Sequence, residues 1–277
     1  MYPKLVTFGP FTIYSFGLML GIGFIAANLV LTHELKRKQL DANAAGTITL
    51  FAVIFGIAGS KMLYMIESWQ DFIRHPAEMA FSPGGLTWYG GFFLATLMIW
   101  LYTKKQKMPF LKVCDSAAPG IALAYGIARI GCHLSGDGDY GIPTSLPWGA
   151  VYSKGTFPPS QAFRDFPDIV AKYGVNGIVP DTIRVHPTPV YEFIVGVAIF
   201  ALLWKLRSAN WADGKLFMVF LILTGVARLA VEFIRLNPRL LFGLTEAQLL
   251  SIAIIIVGFI GVRVLSGKNE SKIVPAT

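Results

Sequence analysis

Seven apolar runs, each close to the length that crosses a bilayer, leave this chain little choice but a bundle of membrane helices. They lie near residues 10–32, 43–66, 86–102, 113–134, 188–206, 214–235 and 246–265. A hydrocarbon core of about 30 Å needs roughly 20 helical residues, and lipid offers a backbone no partners, so each run has to satisfy its hydrogen bonds internally. Composition agrees: 54% of the 277 residues are hydrophobic and 14% are charged, against about 25% charged in soluble domains. The expected fold is an all-α integral membrane protein of seven transmembrane helices. The first run is long and lacks the basic stretch and small-residue cleavage site of a removable leader, so it is expected to remain as the first span. Gly90 and Gly91 near the start of the short third run predict close packing or an irregular entry there rather than a smooth lipid-facing helix.

Positive charge sets the orientation. Lys36, Arg37 and Lys38 follow the first run, Lys104, Lys105, Lys107 and Lys112 the third, and Lys205, Arg207 and Lys215 the fifth. Arg263, Lys268 and Lys272 lie toward the end of the chain, whereas segment 67–85 holds only Arg74 and the amino terminus only Lys4. The positive-inside rule then places the amino terminus outside and the carboxyl terminus in the cytoplasm. Because the net charge of +8 is spread over these short connections, it reads as topology and excludes nucleic acid as the partner. The connection from 135 to 187 falls outside; its SLPWGAVY stretch and Pro/Gly punctuation predict a small ordered extracytoplasmic cap within a single membrane domain, 1–277. Cys114 and Cys132 share one predicted helix, about 27 Å apart at 1.5 Å per residue, and cannot pair with each other.

With orientation fixed, the polar residues inside the runs fall at one level. Lys61 lies near the outer end of span two, Tyr89 near the start of span three, and Arg129 within about one and a half turns of the end of span four. His186 precedes span five, which carries Tyr191 and Glu192 in its first turn. Arg228, Glu232 and Arg235 share one face of span six. An ionisable group in a membrane helix faces a partner, water or a cavity, and Arg129 and Lys61 have no acid within a turn on their own helices. These residues are expected to line a polar cavity of net positive charge in the outer leaflet. Its natural ligand is an anion whose tails stay in the bilayer, a phospholipid phosphate held by guanidinium groups.

GGLTWYGGF (Gly84 to Phe92), ARIGCHLSGDGDYG (Ala128 to Gly141), SLPWGAVY, HPTPVYE and the block from Arg228 through VEFIR to GLTEAQLLS occur in the order found in prolipoprotein diacylglyceryl transferases. The chain resembles that family over nearly its whole length. The resemblance implies an enzyme of the bacterial cytoplasmic membrane that moves the diacylglyceryl group of phosphatidylglycerol onto the lipobox cysteine of a preprolipoprotein, releasing glycerol phosphate. It implies no metal and no organic cofactor; the partners are phosphatidylglycerol, the preprolipoprotein and membrane lipid. Arg129 and Arg228 match the family arginines expected at the phosphate, with Tyr89 as the catalytic candidate where many relatives carry histidine. Glu232 and Arg235 are expected to orient the arginines, and His186 and Glu192 to tie the cap to span five. Substrate contacts are further implied for Lys61, Gly90, Gly91, Asp137, Asp139 and Gly141. The signature usually has asparagine at Cys132, glycine at Ala128 and arginine at Lys61. A second reading is a catalytically silent relative that binds or moves anionic phospholipid; a third, an anion transporter, lacks ionisable groups in the inner halves of the spans apart from Asp115. DGDYG lacks the later ligands of an EF-hand calcium loop.

Overall fold

The computed structural model describes residues 1–9, 11–82 and 84–270, with side chains through Gly267. In chain order, strands β1 (Lys4–Phe8) and β2 (Phe11–Tyr14) form an antiparallel hairpin, followed by α1 (Ser15–Arg37), α2 (Ala44–Glu67), α3 (Trp69–Arg74) and α4 (Pro76–Phe81). Then come α5 (Trp88–Lys105), α6 (Phe110–Ser135), β3 (Ala150–Val151), α7 (Pro159–Ala162), α8 (Pro167–Tyr173) and β4 (Arg184–Val185). The chain continues with α9 (Thr188–Leu206), α10 (Lys215–Glu232), the hairpin β5 (Arg239–Leu241) and β6 (Leu244–Thr245), and α11 (Glu246–Glu270).

The protein is mostly helical, and among the described residues four helices are long and apolar enough to cross a membrane: α1, α2, α9 and residues Glu246–Gly267 of α11. Helices α5, α6 and α10 occupy the other three expected runs but carry more polar sequence. Lys104 and Lys105 close α5, Lys112, Asp115 and Arg129 interrupt α6, and Lys215, Arg228 and Glu232 lie in α10. The first helix starts at Ser15 rather than near residue 10, because the alternating apolar residues before it pair as a hairpin. The sixth stops at Glu232, short of the expected 235. There the chain turns, Ile234 N–H donating to Val231 O at 3.1 Å, and Ile234 O accepts from Ile142 N–H at 2.9 Å.

Two compact units divide the chain, one of residues 28–117 and one of 1–27 with 118–277. In the 28–117 unit, α2 and α5 pack backbone to backbone. A Cβ on Gly59 or Gly90 would overlap the carbonyl of the other, and one on Gly91 would strike Ser60 and Gly56. This is the small-residue contact expected at Gly90 and Gly91. Leu31, Leu35, Ala44, Ala45, Ile48, Met108 and Val113 form its apolar core. Charges inside this unit are paired: buried Glu34 with Arg37 at 2.7 Å, and Lys38 with Asp115 at 3.5 Å.

In the other unit, α6 and α9 cross where Gly126 meets Gly196, and α10 and α11 pack through Gly225 and Gly258. Ala118, Ala122, Ile199, Leu203, Leu216 and Phe220 fill the space between α6, α9 and α10. The segment following α6 is ordered around a core of its own, Tyr140, Tyr152, Phe163, Val179 and Val185. Tyr140 and Tyr152 stack at 4.5 Å, and Tyr140 donates to Phe157 O at 2.7 Å. Cys114 and Cys132 are both free thiols, as their spacing on one helix requires.

Candidate active site

Arg129 enters the site from the last third of α6, one turn beyond Tyr125. The α6 end is followed by a loop turned by two glycines with positive φ, Gly136 at +60° and Gly138 at +90°. Gly136 also lies against Gly155, where a Cβ would be 2.7 Å from the Gly155 Cα. That path returns Asp139 to Arg129. Its far end is clamped: Gly141 N–H donates to His186 O at 2.9 Å, Gly141 bridges Arg235, and Thr188 Oγ1 donates to the Asp139 carbonyl. A side chain at Gly141 would overlap Ile234 O, so the signature glycine serves the close approach of two backbones.

Three guanidiniums and three carboxylates meet here. Asp139 bridges Arg129 and Arg235. Glu192, from the first turns of α9, reaches Arg235 at 3.0 Å, Arg228 at 3.3 Å and Arg129 at 3.6 Å. Glu232 holds Arg228 at 3.1 Å, the (i, i+4) pair expected on α10, and approaches Arg235 at 4.0 Å; Arg235 lies beyond the end of that helix, so the turn after Glu232 rather than a shared helix face brings it in. Behind it, Asn237 and Thr245 donate to Glu232 Oε1 at 2.6 and 2.8 Å. Exposure separates two layers: the side chains of Glu232, Glu192 and Arg235 are 0%, 4% and 8% exposed, whereas Arg129, Arg228 and Asp139 keep 19%, 27% and 29%. The outer three can meet a ligand; the inner three hold them.

The cavity was expected to be positive, yet this cluster balances. Asp139 and Glu192 each meet an arginine far away in sequence, which a reading of charges helix by helix does not reveal. Burial opposes ionisation of Asp139, but the guanidiniums of Arg235 and Arg129 outweigh it and hold the carboxyl below its ordinary range. His186 is held below its usual imidazole value by burial. Its Nδ1 lies 3.2 Å from the Tyr191 hydroxyl, which accepts from Trp148 Nε1 at 2.9 Å, so the expected tie between the loop and α9 is present.

Asp137 is exposed and accepts from Asp139 N–H at 3.4 Å. The donor atoms of Cys132, Asp137 and Asp139 lie within 4.8 Å of one another, although Asp139 is already engaged by two guanidiniums. Cys132 lies 3.7 Å from Arg129 Nη1.

Lys61, Tyr89, Gly90 and Gly91 belong to the 28–117 unit. Lys61 Nζ donates to Met79 O at 3.1 Å, to Ser82 Oγ at 2.9 Å and to Gly84 O, and so pins the turn leading to α5. Tyr89 is half-buried in the first turn of that helix, edge-on to Trp88 at 5.5 Å. Sequence reasoning missed Tyr125, Asn237 and Thr245. Tyr125 was within reach, since it stands four residues before Arg129 and therefore on the same face.

Long apolar helices around a buried, ion-paired arginine cluster define an integral membrane protein with a polar site built between its helices. The profile of the family described as prolipoprotein diacylglyceryl transferase matches residues 3–264. The chain belongs to that family. It is 32% identical over 260 residues to the phosphatidylglycerol–prolipoprotein diacylglyceryl transferase of Clostridium tetani, covering 93% of this chain and 95% of that one. It is 30% identical to phosphatidylglycerol–prolipoprotein diacylglyceryl transferase 2 of Clostridium perfringens, with 94% of each chain covered. Identity to the like-named protein of Trichormus variabilis is 28%, over 94% of this chain and 88% of the relative.

Proposed function

We propose that this chain transfers the diacylglyceryl group of phosphatidylglycerol to the lipobox cysteine of preprolipoproteins in a bacterial cytoplasmic membrane. In this reading seven helices span the bilayer, the amino terminus is outside and the carboxyl terminus cytoplasmic, and the chain works as one membrane domain with 135–187 as its extracytoplasmic cap. The sulfur of the thiol bonds to the glyceryl carbon as that carbon's bond to phosphate oxygen breaks. Glycerol phosphate leaves with the bonding electron pair, and the thiol proton is given up to a base.

The observation that carries the proposal is the layered cluster. Arg129 and Arg228 stand partly exposed on either side of one buried carboxylate, Glu192, with Arg235 and Glu232 fixed beneath them. Guanidiniums held before the ligand arrives stabilise charge that grows on a departing phosphate without having to reorganise. Because the cluster balances internally, the phosphate must share these guanidiniums with Asp139 or displace it. Tyr89, Lys61, Gly90 and Gly91 keep their assigned roles on the strength of the sequence motifs.

Purified protein incubated with phosphatidylglycerol and a lipobox peptide should add one diacylglyceryl mass to the peptide, as read by mass spectrometry. Arg129→Ala should reduce the product at least about a hundredfold, in line with loss of one charge-stabilising group. The departures from the family signature at Tyr89, Ala128, Cys132 and Lys61 favour one rival reading, a silent relative that only holds or moves anionic lipid. That protein would bind phosphatidylglycerol and release no glycerol phosphate.

A further inference from the structure

Tyr125 is placed where two of the arginines can be set at once. Its ring lies beneath the Arg129 guanidinium, 4.8 Å from centroid to Cζ. Its hydroxyl donates to Glu192 Oε1, the oxygen that Arg228 Nη1 reaches at 3.3 Å. The two contacts come from opposite ends of one rigid side chain, and they engage the two arginines of the outer layer, one directly and one through the shared carboxylate. Glu192 Oε1 accepts from both the Tyr125 hydroxyl and Arg228, and Oε2 from Arg235, which fills most of the roughly four lone-pair sites of a carboxylate. The hydroxyl therefore helps decide which oxygen each guanidinium takes.

We propose that Tyr125 is a positioning residue for the transfer reaction, fixing the spacing between Arg129 and Arg228 through its ring and its hydrogen bond to Glu192. The inference rests on the transferase reading above. A side chain 38% exposed is not a keystone of the core, so its replacement leaves the packing of α6 against α9 at Gly126 and Gly196 in place. The ring and the hydroxyl are separable. Tyr125→Phe keeps the cation–π face and loses only the hydrogen bond, whereas Tyr125→Leu loses both.

The test measures kcat and KM for phosphatidylglycerol in purified wild type, Tyr125→Phe and Tyr125→Leu, together with thermal unfolding. Tyr125→Phe should lower kcat/KM about tenfold and Tyr125→Leu by a further several-fold, with unfolding close to wild type in both, the scale expected for one or two mislaid charge contacts. Introducing Tyr125→Phe into Glu192→Gln should add little to the loss already caused by Glu192→Gln, since the hydroxyl acts through that carboxylate. Wild-type kinetics in folded Tyr125→Phe and Tyr125→Leu would overturn the proposal, as would fully additive losses in the double variant. If wild type forms no lipidated peptide, the transferase reading itself fails. Tyr125 is then judged on binding to phosphatidylglycerol vesicles: the same order of weakening sustains its positioning role, and equal binding by all three proteins ends it.

Discussion

Replacing Asp139 by asparagine should loosen the fold slightly while tightening the grip on an anionic lipid. Asp139 is the most exposed acid of the cluster, and its two oxygens are taken by Arg129 and Arg235. Asparagine keeps the shape and one acceptor but shifts the cluster from balance to one surplus positive charge. Charge-assisted hydrogen bonds contribute about 1.5–3 kcal/mol each when buried, and exposure reduces this, so a loss of about 1–2 kcal/mol is expected. A carboxylate roughly 6 Å from a bound phosphate, at an effective dielectric of about 20–40, repels it by about 1.5–3 kcal/mol. Removing that repulsion should tighten phosphatidylglycerol binding roughly ten- to hundredfold. Titration of labelled phosphatidylglycerol into the detergent-solubilised protein at fixed ionic strength reads the affinity, and thermal unfolding in the same detergent checks the fold. Equal or weaker binding by a folded Asp139→Asn protein would refute the idea that this acid competes with the headgroup for Arg129.

Other substitutions probe the supports. Glu232→Gln removes a fully buried carboxylate that serves Arg228, Asn237 and Thr245; it should destabilise the protein by about 3 kcal/mol, the scale of breaking one side of a buried pair, and an unchanged melting temperature would count against that assignment. Gly90→Ala would drive a methyl into the Gly59 carbonyl, whereas Gly17→Ala meets nothing within 4 Å. The first should lower stability by about 1–3 kcal/mol and the second should not. Acid should weaken the loop at Asp139. Its folded pKa is depressed, so its stabilising contribution is present above the unfolded value of about 3.9 and is lost as pH falls through the lower folded value. The gap in melting temperature between wild type and Asp139→Asn should accordingly narrow from pH 6 toward pH 3; a constant gap would remove Asp139 as its source.

Runs of apolar residues placed the helices well because lipid-length hydrophobicity leaves few alternatives: 188–206 coincides with α9, and 43–66 is displaced by one residue from α2. What escaped was local pairing. Strand β2 is apolar and runs directly into the helix behind it, so hydropathy alone merged the two. Arg228 and Glu232 were legible as a pair because helical spacing puts them on one face, and Arg129 because it has no acid within a turn; Arg235 joins them through the turn after α10, not through that face. Their charge balance was not, since Asp139 reaches Arg129 through two left-handed glycines and Glu192 arrives from a different helix. Tyr125 was overlooked because a tyrosine in an apolar run usually reads as an interface aromatic, and only its pairing with Glu192 gives it another meaning.

The spacing of partners along the chain also bears on how such a protein can be made. Arg129 has an acid ten residues later, and Arg228 has one four residues later. Both arginines are thus followed within ten residues by an acid that offsets the cost of a cation in an apolar helix. Glu192 finds its arginines on other segments, Arg129 on α6, Arg228 on α10 and Arg235 just beyond that helix. Since α6 is synthesised before α9, Glu192 can meet Arg129 as soon as α9 arrives, whereas its contacts with Arg228 and Arg235 wait for α10 and the turn that follows it.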